Sequence, residues 1–287
     1  MPALFGQLLL GLINGSFYAL LSLGLSIIFG LLNIVNFAHG AFYMMGAFAA
    51  WIALDSLGIG YWPALLLAPA VVGLLGIVVE RTMLRRLYQL DNLYGLLLTF
   101  GLTLVVEGLF HERYGNSGSP YPVPALLQGG VRLPFMYLPL YRGWVVVVSL
   151  LVCFACWLVI DRTKLGSYLR AGTENPRLVQ AFGVNVPLMF TITYGFGVAL
   201  AAFAGVMAAP VYQVSPAMGS NLIMIVFAVV VIGGMGSILG SILTGVGLGV
   251  IEGLTRWLWP PASSVVVFVI MAIVLLVRPA GLFGRAR

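Results

Sequence analysis

"NGSFYALLSLGLSIIFGLLNIVNFAHGAFYMMGAF", residues 14–48, is the stretch on which the reading of this chain turns. It begins as an apolar run of the length that a bilayer crossing demands, about 20 mostly apolar residues. It then sets down Asn33, Asn36 and His39 within a few positions, follows them with Gly40, and resumes as a second apolar run. An amide or imidazole left unsatisfied in hydrocarbon is costly, so polar groups at depth face a cavity, another helix or water. As helical positions i, i+3 and i+6, Asn33 and Asn36 share one face and His39 lies on its flank. Gly40 and Gly46, with Ala41 and Ala47, permit close helix approach or a break in the hydrogen-bond ladder. Two readings stay open: the polar residues join helices, or they line and gate a path.

The composition settles the class. The chain is 61% hydrophobic and 8% charged, with mean hydropathy +1.09, whereas soluble domains carry about 25% charged residues. These values describe an integral membrane protein and give no footing for nucleic-acid binding. The N-terminal "MPALFGQLLLGLINGSFYALL" has no basic leader and no A-x-A-like cleavage site, so it reads as a retained first span. Cys153 and Cys156 lie inside "LLVCFACWLVI" with neither a His nor a second Cys pair beside them, which speaks against a redox or zinc role. No catalytic triad, metal cluster or paired carboxylates is legible, and no cofactor is expected.

Nine segments qualify as candidate spans: 5–30, 37–54, 62–80, 92–111, 142–160, 187–209, 221–236, 239–257 and 263–277. The expected fold is an all-α polytopic bundle of about eight to nine transmembrane helices in a single transmembrane domain, 1–287. The seventh and eighth spans are separated only by the small, apolar "GGMGSILGS", and one broken element is the alternative. Ten of the fourteen basic residues fall in 81–91, 161–186 and the tail after 277. The positive-inside rule makes those segments cytoplasmic and the N-terminus external. The loop 112–141 is then extracellular, and its Pro, Gly and Tyr content predicts an ordered, non-helical cap; a docking surface and a plain long loop are both open readings. An offset of 197 residues superposes Trp62-Pro63 on Trp259-Pro260, Arg81 on Arg278, and His39-Gly40 on Gly236-Ser237. These matches outline an internal parallel repeat with a path between its halves. Glu107 with His111, and Glu252 with Arg256, are spaced as interfacial i,i+4 partners.

The most informative polar segment is "DRTKLGSYLRAGTENPRLVQAFGVNVPLMF", residues 161–190. Asn175-Pro176 favours a helix start, and Gly183 is a fitting stop after "RLVQAFG". The segment reads as a short helix outside the bilayer. It is either anchored on the membrane surface by arginines or inserted as a peg into a partner protein.

Together, the residue 14–48 stretch, "YLRAGTENPRLVQAFGVNV" and "VVIGGMGSILGSILTG" resemble the membrane subunit of bacterial ABC importers for branched-chain amino acids, the LivH type, over about residues 5–280. The "NFAHG" and "GGMGS" runs carry the likeness; urea and short-chain amide importers use similar permeases, so the substrate stays less defined than the family. The resemblance implies a multi-pass permease of the bacterial cytoplasmic (inner) membrane. Its partners would be a second homologous permease, two cytoplasmic ATPase subunits and a periplasmic substrate-binding protein. It implies a path or gate at Asn33, Asn36, His39, Gly40, Gly233, Gly234, Gly236 and Ser237. The coupling segment would span about 165–186, with Arg170, Glu174, Asn175, Arg177 and Gly183 as its ATPase-coupling positions. The chain itself has no Walker A loop, since its only lysine, Lys164, follows no G-x-x-x-x-G, so it is not expected to be an enzyme. A secondary transporter would need more ionisable groups within the membrane. A passive channel would have no use for a shaped cytoplasmic helix.

Overall fold

The computed structural model describes residues 2–32, 34–88 and 90–284. Among these residues there are eleven α-helices: α1 (Pro2–Leu32), α2 (Ala38–Leu57), α3 (Tyr61–Thr82), α4 (Asn92–Tyr114), α5 (Leu140–Arg162), α6 (Lys164–Glu174), α7 (Pro176–Ala181), α8 (Val186–Ala208), α9 (Met218–Gly233), α10 (Ile238–Leu258) and α11 (Val266–Val277). Each of the nine expected spans has its helix. Seven of these (α1 to α5, α8 and α10) are long and apolar enough to cross a membrane. At 16 and 12 residues, α9 and α11 are shorter; at 1.5 Å per residue, α11 covers only about 18 Å of a hydrocarbon layer about 30 Å thick. Pro260, Pro261 and the serines after them explain the late start of α11, because they occupy a 3-10 turn and a further hydrogen-bonded turn before Val266.

The bundle is built on close backbone contact. Gly11, Gly15 and Ala19 recur every four residues on α1 and meet Gly253, Gly249 and Gly245 of α10, which recur at the same interval. A methyl added at Gly11 would stand 2.5 Å from the Gly249 carbonyl oxygen, and one at Gly245 would stand 2.6 Å from the Ala19 Cα. Small residues at this spacing let helix backbones touch where lipid offers no hydrophobic drive for association. The same device joins α2 to α9, where a methyl at Gly40 would lie 2.7 Å from the Gly219 carbonyl oxygen, and α1 to α8, where one at Gly24 would lie 2.7 Å from that of Gly197. The central core lies among α1, α2 and α8, with Leu20, Ile28, Tyr43, Phe48, Ala202 and Met207 almost wholly buried.

Two ends of the bundle can be told apart. One carries the arginine-rich segments 81–86 and 162–177 and is called the basic end. At the other, the segment after α4 forms the expected ordered cap: a 3-10 turn, then an antiparallel hairpin of β1 (Gly130–Arg132) and β2 (Tyr137–Pro139). A bridge between Ser119 and Val214 ties this cap to the turn after α8. At the 197-residue offset, α2 and α3 fall on α10 and α11, yet the packing differs, since α3 leans on α8 and α11 on α9.

Two sequence expectations are corrected. Residues 34–36 are not helical, so Asn36 does not lie on a helical face; a short non-helical link joins α1 to α2 there. Asn33 lies outside the described residues. The i,i+4 pair of Glu107 and His111 is not formed: Glu107 Oε1 and His111 Nδ1 are both buried without a partner among the described residues. The pair of Glu252 and Arg256 is formed.

Candidate functional site

The link between α1 and α2 is fastened residue by residue. Asn36 is buried, and its Nδ2 donates to the Tyr194 hydroxyl on α8 at 3.1 Å. The Phe37 amide donates to the Thr99 hydroxyl on α4 at 3.2 Å. His39, fully buried at the start of α2, places Nε2 3.0 Å from the Leu21 carbonyl oxygen on α1. A carbonyl only accepts, so Nε2 carries the proton there. Asn36 Oδ1 and His39 Nδ1 have no partner among the described residues. The Gly40 contact with Gly219 follows immediately. The polar residues of the opening stretch thus tie α1, α2, α4 and α8 together at one break, away from the two large cavities.

Below the break, at the basic end, lies a carboxylate that the sequence reading passed over. Glu80, on the last turn of α3, is completely buried. Its Oε1 accepts from the Tyr88 hydroxyl at 2.8 Å and its Oε2 from the Thr191 hydroxyl of α8 at 2.7 Å. Burial, and then the bond to Glu80, push the Tyr88 hydroxyl well above the ordinary tyrosine pKa. Glu80 adjoins Arg81 and reads as an interfacial charge; its closing partners lie 8 and 111 residues away in sequence.

The "GGMGS" run is a tight turn between α9 and α10. Gly234 and Gly236 adopt φ of +98° and +84°, values that glycine takes without the Cβ penalty. Ser237 caps α10, its Oγ accepting from the Gly240 amide at 3.2 Å, and Gly233 packs on Gly240. The tail after α11 returns to this turn, the Leu282 amide donating to the Ile232 carbonyl at 2.8 Å and the Phe283 amide to that of Gly233 at 3.2 Å.

Gly236 and Ser237 line a cavity of about 660 Å³ at the basic end, together with Ser26 and Gly30 of α1 and Arg170 and Glu174 of α6. The structure therefore unites two groups of expected site residues, the glycine turn and the first half of the polar segment, and leaves Asn36, His39 and Gly40 apart from them. Arg170 lies 3.7 Å from Asp161 and donates to the Ile160 carbonyl. Asn175 caps α7, its Oδ1 accepting from the Leu178 amide at 3.1 Å, and Gly183 stops the segment at φ +83°. Arg177, Leu178 and Phe182 are exposed, Phe182 at 81%. A second cavity of about 590 Å³ opens at the hairpin end, with Glu252, Arg256 and Arg142 on its wall.

Comparison with known proteins agrees with the architecture. Residues 7–276 match the family described as the permease component of branched-chain amino acid transport systems. The chain is 31% identical to the branched-chain amino acid permease protein BraD of Pseudomonas aeruginosa, over 97% of this chain and 95% of that protein. It is 30% identical to LivH of Escherichia coli K12, with the same coverage. It is also 27% identical to LivM of Salmonella typhimurium, over 94% of this chain and 68% of that protein. No solved structure matches the chain.

Proposed function

Since the chain belongs to the family of branched-chain amino acid permeases, we propose that it forms half of the translocation path of an ATP-driven importer for leucine, isoleucine and valine. In this reading it sits in a bacterial cytoplasmic membrane beside a second permease of the LivM kind, with two cytoplasmic ATPases and a periplasmic binding protein. The basic end faces the cytoplasm and the hairpin end faces outward, following the arginine distribution. The observation that carries the reading is α6 with α7. This pair is capped at Asn175, stopped at Gly183, and displays exposed Leu178 and Phe182 beside Arg177. Apolar side chains flanked by a guanidinium suit insertion into a groove of a partner protein. Movement of the pair would reach the glycine turn across the shared cavity, through Arg170 and Glu174. Asn36, His39 and Gly40, together with Gly233, Gly234, Gly236 and Ser237, lie at or beside the two breaks between spans, and they serve as gate positions. Asn33 is proposed with them from its place in the sequence.

The test is reconstitution with both ATPases and the second permease, with loaded binding protein supplied outside. Leucine uptake should require ATP. Arg177→Glu and Gly183→Val should abolish stimulation of ATP hydrolysis by loaded binding protein while leaving its docking intact. Uptake without any ATPase subunit, or normal stimulation in both variants, would overturn the assignment.

A further inference from the structure

The cavity at the hairpin end has a chemistry that the coupling machinery does not use. It encloses about 590 Å³, within the usual range of small-molecule sites. Its wall has two characters. Leu10, Ile13, Phe17, Met218 and Leu222 form an apolar side. The same lining carries a charged cluster built on Glu252, which is 8% exposed. The Tyr18 hydroxyl donates to Glu252 Oε2 at 2.8 Å and Arg256 pairs with Oε1. Asn14 and Tyr212 add a second fixed polar pair, the Tyr212 hydroxyl donating to Asn14 Oδ1 at 3.1 Å. Arg142, at the start of α5, lines the same space and has no carboxylate partner among the described residues.

A carboxylate has about four acceptor sites, so Glu252 retains capacity beyond its two present partners. The cavity thus offers one fixed carboxylate able to take an ammonium group, one guanidinium in excess able to take a carboxylate, and an apolar wall. We propose that this cavity is a zwitterion-binding vestibule. It would receive the α-amino acid on the outward side, with Arg142 on its carboxylate, Glu252 on its ammonium group, and the side chain against Phe17 and Met218. The inference rests on the importer reading for substrate class and sidedness. It adds to that reading a permease-borne recognition site. Selection for an α-amino acid would then not rest with the binding protein alone.

Binding of radiolabelled L-leucine to the wild-type permease, purified in detergent with its associated subunits and without binding protein, tests it. L-leucinamide and N-acetyl-L-leucine, each lacking one charge, serve as competitors. Saturable leucine binding is expected, with both capped analogues weaker. Arg142→Gln should weaken leucine by about tenfold or more, the worth of a charge-assisted hydrogen bond, and Arg142→Lys should restore most of it. Absent leucine binding, capped analogues that compete equally well, or an unchanged affinity in Arg142→Gln would each overturn the site. If Arg142→Gln fails to fold, the analogue series on the wild type decides. ATP-dependent leucine uptake by a complex that fails these binding tests would sink the vestibule alone. Specific binding without such uptake would sink the importer reading alone.

Discussion

Glu80 and Glu252 are two glutamates near opposite ends of the bundle, each with arginine close in sequence, and the fold treats them in opposite ways. Glu80 is sealed: it is wholly buried, its two oxygens accept from hydroxyls of a loop and of α8, and neither of the two cavities described above borders it. Glu252 is held by a hydroxyl and a guanidinium on the wall of an open cavity. The first arrangement suits a fastening and the second a ligand. The difference lies in access: each carboxylate has two partners and acceptor sites to spare, but only Glu252 borders an open cavity from which a guest could reach them.

The sharpest way to break the comparison is to remove each carboxylate in turn. Glu80→Leu takes the acceptor from the part-buried Tyr88 hydroxyl and leaves Thr191 only the Pro187 carbonyl of its own helix, and stability should fall by about 2 kcal/mol, the desolvation cost of one orphaned group. Glu252→Leu should cost about 1 kcal/mol or less, because water in the cavity rehydrates Tyr18 and Arg256. Thermal or denaturant unfolding of both variants in detergent reads the difference. Equal losses would mean that the two sites differ only in appearance.

Much of this was legible beforehand, and the misses share a physical cause. Apolar run length located nine of the eleven α-helices, seven of them long and apolar enough to span. Asn175 and Gly183 announced the ends of α7 because capping is local in sequence. The sealed site was not visible, since Glu80 finds Thr191 only when α3 packs on α8, and neither residue stands out from its neighbours. The spacing of Asn33, Asn36 and His39 puts Asn36 on a helical face, whereas residues 34–36 form an irregular link. Glu107 and His111 had the right spacing and still do not meet, because i,i+4 placement permits a contact without enforcing it. The small-residue spacing on α1 and α10 was present in the sequence as a signal for their contact, since Gly11, Gly15 and Gly245, Gly249, Gly253 repeat every four residues.

Asn36 sharpens the comparison on the functional side, because its partner Tyr194 sits on α8, the helix whose Thr191 bonds Glu80. Asn36→Leu removes one hydrogen bond from the closed region and should lower stability by about 1–2 kcal/mol. If this break is a gate, uptake should fall well beyond that loss while the subunits still co-purify. A decline in assembly that tracks the decline in uptake would reduce Asn36 to a fastening like Glu80.

The smallest effect gives the cleanest contrast, because it uses one substitution at both ends. Tyr88→Phe and Tyr212→Phe each delete a single hydroxyl that donates to a side-chain oxygen, Glu80 in one case and Asn14 in the other. At the sealed end, the fully buried Glu80 carboxylate would keep only one of its two donors, so the cost should be about 1–2 kcal/mol. At the open end, Tyr212 is 43% exposed and water can replace its bond to Asn14, so stability should change by about 0.5 kcal/mol or less. The functional readout should reverse that order. Tyr212→Phe loosens Asn14 within the vestibule and should weaken leucine binding several-fold, whereas Tyr88→Phe, far from the vestibule, should leave leucine affinity unchanged in whatever fraction remains folded. Paired unfolding and binding measurements would show both orders at once. A Tyr88→Phe variant with normal stability but impaired leucine binding would mean that the closed end, and not the open one, governs recognition.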